Sequence, residues 1–298
     1  YVTDHMTVRA TYVRKAVDNV VGGEFAGATI TLGGRIALNL YMDVNDEIFA
    51  DENAGLLGVR PNGLEEFISL KDAVKSEEFY VFSCDVAAKE MASPLKVQFV
   101  TSEGESEAFE YSVKEYAEYI LEDNSGSYES AKPLVRAMLN YGTFAQVYFG
   151  YNLENPANQS LSEVEKVIEE ADFSDFRYTV KGKEDGVKYY GSKLTLYSET
   201  SVKHYFVIDN EADALNITVN GKAVTAEKAG EYYEVKISDI PAQSLDDRLV
   251  LEIGGLTVDY NALSYANLAM SGEDNNLKDL MKALYAYNKA ADEYLAEH

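Results

Sequence analysis

Apolar and polar residues alternate along this chain over short stretches and then switch to a helical spacing, and the switch happens twice. In the first half, Ala28 to Leu32 and Ile36 to Met42 alternate around Gly33-Gly34, the pattern of two strands joined in a hairpin. Further short strands are predicted around Gly58 to Arg60, Leu64 to Leu70, Phe79 to Val86, Leu95 to Thr101 and Ala108 to Ser112. Asn62-Gly63 and Gly104 supply turns, and Asn-Gly is a strong hairpin signal because both residues accept positive φ. Val113, Tyr116, Ala117, Ile120 and Leu121 then fall on one face of a helix. A longer helix is expected after Ser130 as N-cap, with Pro133 in its first turn and Gly150 as its stop.

The second half repeats this order. Leu134, Ala137, Met138, Tyr141, Ala145, Tyr148 and Phe149 recur 146 positions later as Leu280, Ala283, Leu284, Tyr287, Ala291, Tyr294 and Leu295. Tyr111, Tyr116 and Ala117 recur as Tyr260, Tyr265 and Ala266, and Met91, Leu95, Val97 and Phe99 as Leu245, Leu249, Leu251 and Ile253. Phe79, Tyr80, Phe82 and Cys84 match Tyr232, Tyr233, Val235 and Ile237; Asn62-Gly63 matches Asn220-Gly221; Ile36, Leu38, Leu40 and Met42 match Val202, His204, Phe206 and Ile208. Offsets that drift while the order is kept are what changed loop lengths between two copies of one module would produce. The fold expected is α+β, two tandem units, each an antiparallel, immunoglobulin-like β-sandwich followed by a helical hairpin. The boundaries are a leader at 1–24, unit one at 25–155, an acidic linker at 156–174 and unit two at 175–298. Within the linker, Ser162 and Glu165 have capping-box spacing, so a short acidic helix is expected there. Phe176 to Val180 and Val187 to Tyr190 read as a strand pair around Gly182 and Gly186.

At 298 residues each unit is long enough to bury a core, and 46% hydrophobic content is ordinary for a globular protein. The formal charge of −25 changes the list of partners: such a surface repels nucleic acid and anionic lipid, and no apolar run is long enough for a spanning helix. Cys84 is the sole cysteine; it falls in the apolar register of a strand and is expected to be a buried structural thiol. The chain opens at Tyr1 without a signal-peptide pattern, so the sequence reads as a segment of something longer.

Candidate chemistry is thin. His5 and His298 sit near the termini, and His204 takes the core position held by Leu38 in the first unit, which favours a structural ring over a catalytic one. No nucleophile elbow, zinc-binding His-Glu-x-x-His or phosphate loop occurs, so no catalytic residue, resident metal or cofactor is assigned. The acidic cluster Asp43, Asn45, Asp46, Glu47, Asp51, Glu52 and Asn53 reads as a solvated loop; calcium held by its oxygens stays an open alternative, without the EF-hand order. Tyrosine is the unusual component: 23 residues beside no tryptophan. Tyr141, Tyr148, Tyr287 and Tyr294 lie on helix stripes and are expected in the core, whereas alternation turns Tyr197 and Tyr205 outward. Tyr205 replaces Asn39 of the first unit, and the two rings together are the candidate protein-binding surface, with acidic side chains at its rim.

The strings Leu32-Gly33-Gly34-Arg35-Ile36-Ala37-Leu38-Asn39-Leu40-Tyr41-Met42, Val86-Ala87-Ala88-Lys89-Glu90-Met91, Tyr111-Ser112-Val113-Lys114-Glu115-Tyr116-Ala117 and Ala137-Met138-Leu139-Asn140-Tyr141-Gly142 resemble a module of secreted or wall-attached surface proteins of gut Gram-positive anaerobes. Some proteins carrying such modules are immunoglobulin-binding and superantigen-like, gripping antibody variable domains outside the antigen site. The resemblance covers about residues 25 to 155, the second unit being a diverged relative, and carries over no binding residue by position. It implies a non-catalytic, extracellular commensal surface module whose partner is host immunoglobulin. The alternative is a glycan-binding or spacer module of a larger secreted protein.

Overall fold

The computed structural model describes residues 7–8, 22–31, 35–60, 63–197, 199–209 and 216–297. His5, His298, the Gly33-Gly34 turn, Asn62 and most of the leader lie outside them. The protein is α+β, with four antiparallel sheets in sandwich-like pairs and four α-helices. It divides into two compact units between Ser162 and Glu163, inside the stretch read as a linker.

In the first unit the strands run β1 (Thr7–Val8), β2 (Gly23–Thr31), β3 (Ile36–Val44), β4 (Gly55–Val59), β5 (Glu65–Ser69), β6 (Val74–Ser76), β7 (Phe79–Val86), β8 (Leu95–Thr101), β9 (Gly104–Glu105) and β10 (Phe109–Tyr111). One sheet has the order β1-β2-β3-β7-β6; the other is β10-β8-β4-β5, with β9 paired to β8. The alternating residues Leu38, Leu40, Phe82, Val97 and Phe99 are sealed from solvent, and Phe82 of one sheet meets Phe99 of the other edge to face at 6.3 Å. Helix α1 (Val113–Glu122) starts at a capping box in which Ser112 and Glu115 bond reciprocally, and helix α2 (Lys132–Phe149) ends at Gly150 in the left-handed conformation. Ser130 does not cap α2: it lies in a 3-10 turn, Glu129–Ala131, that leads into the helix with Pro133 in its first turn.

The helices sit at one end of their sandwich, over the connection that carries the chain from β7 to β8. That connection, a 3-10 turn at Ala88–Glu90, is buried together with Met91 and Ala92. The first-turn amide of Lys114 in α1 donates to the Met91 carbonyl at 2.9 Å. Gly142 lets α2 approach closely: a Cβ there would lie 2.8 Å from Met91 Sδ and 3.2 Å from the Ala88 carbonyl. Residues after Gly150 fold back on the same helices. Gln146 Nε2 donates to the Asn152 and Asn155 carbonyls, its Oε1 accepts the Ala157 N–H at 2.8 Å, and Lys114 Nζ donates to Asn155 Oδ1 at 2.8 Å.

In the second unit the strands are β11 (Thr179–Gly182), β12 (Val187–Leu196), β13 (Thr200–Ile208), β14 (Ile217–Val219), β15 (Lys222–Val224), β16 (Glu227–Ala229), β17 (Tyr232–Ile237), β18 (Leu249–Ile253) and β19 (Leu256–Tyr260). Their sheets are β12-β13-β17-β16 and β11-β19-β18-β14-β15. Helices α3 (Ala262–Met270) and α4 (Asn275–Ala296) follow. The turn between β17 and β18, Ala242–Ser244, again lies under them: the Leu263 amide donates to the Leu245 carbonyl at 3.2 Å, and the buried Asn288 Nδ2 donates to the Ala242 carbonyl at 2.8 Å. Tyr141 and Tyr287 are buried on their helices, whereas Tyr148 and Tyr294 are half-buried.

Two expectations are corrected. β11 and β12 are not a strand pair: β11 joins β19 in the other sheet, and only the bridge Glu184–Val187 links the two segments. The positive φ of Gly182 and Gly186 lets the chain change sheets here instead of folding into a hairpin. Nor does the acidic stretch form a helix, because 162–172 contains only turns and irregular chain. Its later part is tied down: Glu170 pairs with Lys282 at 2.7 Å and the Phe173 carbonyl accepts Asn267 Nδ2 at 2.7 Å.

Cys84 lies in β7 with 2% of its surface exposed, and burial pushes its thiol up to about 12. The native protein is expected to react with an aromatic disulfide reagent at neutral pH only as fast as unit one opens, and fully on denaturation. Native labelling at the rate of a free thiol would show that β7 does not bury this side chain.

Candidate functional site

The second unit's β12-β13-β17-β16 sheet has one face in the sandwich and one facing out. On β13, Val202, His204, Phe206 and Ile208 point in and are buried, so Lys203, Tyr205 and Val207 point out. On β17 the outward set is Tyr232, Glu234 and Lys236. β12 carries a bulge between Tyr189 and Gly191, which leaves Tyr190 as an extra residue. Tyr189 therefore turns inward against Phe206 at 5.4 Å, while its neighbour Tyr190 is 63% exposed.

The result is an aromatic cluster on the outer face. The rings of Tyr190 and Tyr232 lie 4.4 Å apart, tilted by 35°, and Tyr232 meets Tyr205 edge to face at 6.3 Å. Tyr205 sits directly across from Glu234 and hydrogen-bonds to its carboxylate, and burial together with that bond raises the phenol's pKa. Burial alone would raise the Glu234 carboxyl, but its bonds to Lys203, at 2.7 Å, and to Tyr205 outweigh burial and hold it low. Rings held by one another and by a paired carboxylate lose little freedom on binding, which suits an anchor.

The expected partner of Tyr205 is not beside it. Tyr197 is 52% exposed, as alternation predicts, but it follows the end of β12, whose last residue, Leu196, pairs with Thr200. Tyr205 pairs with Gly191, five residues or about 16 Å before that last residue, and Tyr197 lies beyond it. Tyr190 and Tyr232 take the place given to Tyr197. The charge of the face also differs from expectation. Lys188, Lys193, Lys203 and Lys236 project from it; Lys203 pairs with Glu234 and Lys236 with Glu199, while Lys188 and Lys193 have no ion pair among the described residues. Glu227 on β16 also lies on this face, directly across from Glu234, so in a chain of net charge −25 the face is close to balanced in charge.

Other groups are less able to act on a ligand. His204 is completely buried; its Nδ1 lies 2.6 Å from Ser192 Oγ, which lies 2.5 Å from the Tyr189 hydroxyl, and its ring packs edge-on to Tyr260 at 5.1 Å. Its Nε2 has no hydrogen-bond partner, so the tautomer that leaves only a lone pair there, with the proton on Nδ1, is the less costly one. A Ser–His pair whose imidazole is fully buried, with no carboxylate on the second nitrogen, lacks the orienting group that activates a serine nucleophile. A recess of about 210 Å³ beside β19 is lined by Arg177, Lys181, Arg248 and Asp259; it is smaller than typical ligand pockets, and Asp259 neutralises Arg248. In the acidic loop, Asp51 accepts the Ser102 N–H at 2.6 Å and the Asn53 N–H at 2.9 Å, bonds that lower its pKa and commit it to the loop's own structure. Among the described residues no three His, Cys, Asp or Glu side chains converge as metal ligands.

No family model, curated protein or solved structure matches the chain.

His204 gives a pH signature. Burial lowers its pKa from 6.5 to about 3. Because the unfolded chain takes up the proton first, the stability of unit two is intact above about pH 6.5 and falls as pH drops towards 3. From pH 7.5 to 5 this one group is expected to remove about 2 kcal/mol. Denaturant titrations at the two pH values check it: His204→Leu should be less pH-sensitive by that amount. Equal sensitivity in both proteins, or a His204 ring that titrates near 6.5 by NMR in the folded state, would contradict the placement.

Proposed function

We propose that this chain is a non-catalytic binding module of an extracellular, secreted or wall-attached bacterial surface protein, and that its outer β12-β13-β17 face grips a host protein. The observation that carries this reading is the mutually packed cluster of exposed Tyr190 with half-buried Tyr205 and Tyr232 among lysines. Tyrosine is enriched at protein interfaces because it buries a large area with few rotatable bonds. Immunoglobulin variable domains are the partner proposed, bound in a superantigen-like manner; the resemblance of the Leu32–Met42 and Ala137–Gly142 strings to modules of immunoglobulin-binding surface proteins supports that choice.

A tandem-repeat, immunoglobulin-like architecture belongs to the same proposal. It is supported by the shared strand orders β2-β3-β7-β6 and β12-β13-β17-β16, and β10-β8-β4-β5 and β19-β18-β14-β15. It is supported too by the bond from Lys114 N to Met91 O in one unit and from Leu263 N to Leu245 O in the other. If the units are copies, the cluster is specific to the second: Asn39, at the position of Tyr205, is buried and donates to Thr29 and Thr31.

Binding to Fab fragments of pooled serum immunoglobulin tests the reading. The Tyr190→Ala/Tyr205→Ala variant, its fold verified by circular dichroism, should lose about 2 kcal/mol, roughly 30-fold in affinity. Tyr197→Ala, outside the cluster, should lose much less. Unchanged affinity in the double variant would move the site off this face, and retention on a polysaccharide panel without Fab binding would replace the reading with the glycan-binding one.

A further inference from the structure

The longest edge strand among the described residues is β12, with ten residues; every other edge, from β1 to β16, belongs to a strand of two to five. Short edges are the ordinary way a β-protein avoids unwanted pairing, so one long open edge stands out. The corresponding edge of the first unit is paired at one end, over the last two residues of β2. There β2 takes the place that β12 takes in the second unit's sheet order, and β1 lies along it, with Thr7 opposite Thr31 and Val8 opposite Ile30. In the second unit the strand preceding β12 is β11, which has gone to the other sheet.

The backbone groups that face this edge can be named. The Thr200 carbonyl accepts the Ile240 N–H, so Thr200 and, by alternation, Val202 and His204 direct their backbone groups away from β12. Their cross-strand partners Leu196, Leu194 and Ser192 accordingly direct N–H and C=O away from β13, to the side where the described residues place no strand; Ser192 and Leu196 are half-buried there and Leu194 is 8% exposed. Ser192, opposite His204, holds the sheet position that Ile30, opposite Leu38, holds beside β1. The bulge at Tyr190 interrupts regular geometry below Gly191, so the usable edge is Gly191 to Leu196. The side chain of Lys193 stands in the middle of that run, exposed and without an ion pair among the described residues, with Lys203 directly across from it.

We infer that the Gly191–Leu196 edge of β12 accepts an extended acidic segment of a partner protein as an added strand. Main-chain bonds to Ser192 and Leu194 supply the pairing, and Lys193 supplies the preference for acidic side chains, Lys203 across from it being already paired with Glu234. Lys193 repels a basic strand and would be stripped of water without a partner by a neutral one, which is how an edge can be protected against most chains and open to one kind. This inference concerns the edge and not the tyrosine face, and it does not require the partner to be an immunoglobulin.

The test uses the whole chain, labelled with nitrogen-15, and two ten-residue peptide probes, one alternating threonine and glutamate and one alternating threonine and lysine. The acidic peptide should slow hydrogen exchange of the Ser192 and Leu194 amides at least about tenfold, and the basic peptide should leave them unchanged. Lys193→Glu, a change of an exposed side chain, should abolish the effect of the acidic peptide. The inference is overturned if neither peptide protects these amides, if both protect them equally, or if they are already protected in the free chain in a concentration-dependent way, which would assign the edge to a second copy. A Fab that binds through the tyrosines while these amides stay unprotected by the acidic peptide would sink the edge alone; peptide protection without Fab binding would sink the immunoglobulin reading alone.

Discussion

The chain must cross from one sheet to the other in the middle of each sandwich, and that crossing brings backbone polar groups into a place without water. An unpaired buried carbonyl or amide costs as much as a lost hydrogen bond, so a buried crossing turn is tolerable only under elements that bond to it. The helical hairpins do this. In the first unit the Lys114 amide reaches the Met91 carbonyl and α2 lies close against Ala88; in the second, Leu263 reaches Leu245 and Asn288 bonds to Ala242. With the crossing covered, the remaining sheet surfaces are released from packing duty, and the outer face of β12-β13-β17 is one of them.

That face shows why net charge is a poor guide to the field over one part of a surface. A total of −25 describes solubility and long-range repulsion. The short-range field over β12, β13 and β17 is set by four lysines, by the carboxylates of Glu199 and Glu234 that pair with two of them, and by Glu227 beside Glu234. On the proposed reading, a partner approaching from a distance meets an acidic protein and at contact meets paired charges and aromatic rings, so selectivity would come from the last few ångströms, inside a Debye length.

Strands with strict alternation were readable from sequence: β3 starts at Ile36, and β7 and β8 occupy the predicted spans, because one face of each is wholly buried and a shift of one residue would invert every side chain. The helices were readable from the spacing of their apolar residues and from Gly150. What escaped was the region where alternation breaks. Tyr189-Tyr190-Gly191 contains a bulge, and a bulge reverses parity, so Tyr190 could not be assigned a face and β12 was cut short at that point. Tyr205 was legible because β13 alternates without interruption. Its true neighbours were not, because cross-strand proximity depends on register, and register here was hidden behind the same bulge. The β11 segment failed for a related reason: two glycines between two short apolar runs look the same whether the chain turns back or changes sheets.

The two ways of seating a helix over the crossing have a consequence for how such units can be exchanged. In one, a glycine at 142 brings the helix backbone within reach of Met91 and Ala157; in the other, an asparagine at 288 fills the gap and bonds to the turn. Each solution is a matched set, and the matching spans residues from both sides of the crossing. A recombination joint placed between a sheet and its hairpin would therefore pair a helix with the wrong turn, crowding Met91 in one hybrid and leaving the Ala242 carbonyl without its amide in the other. Joints placed in the chain between one hairpin and the next sandwich would leave both sets whole.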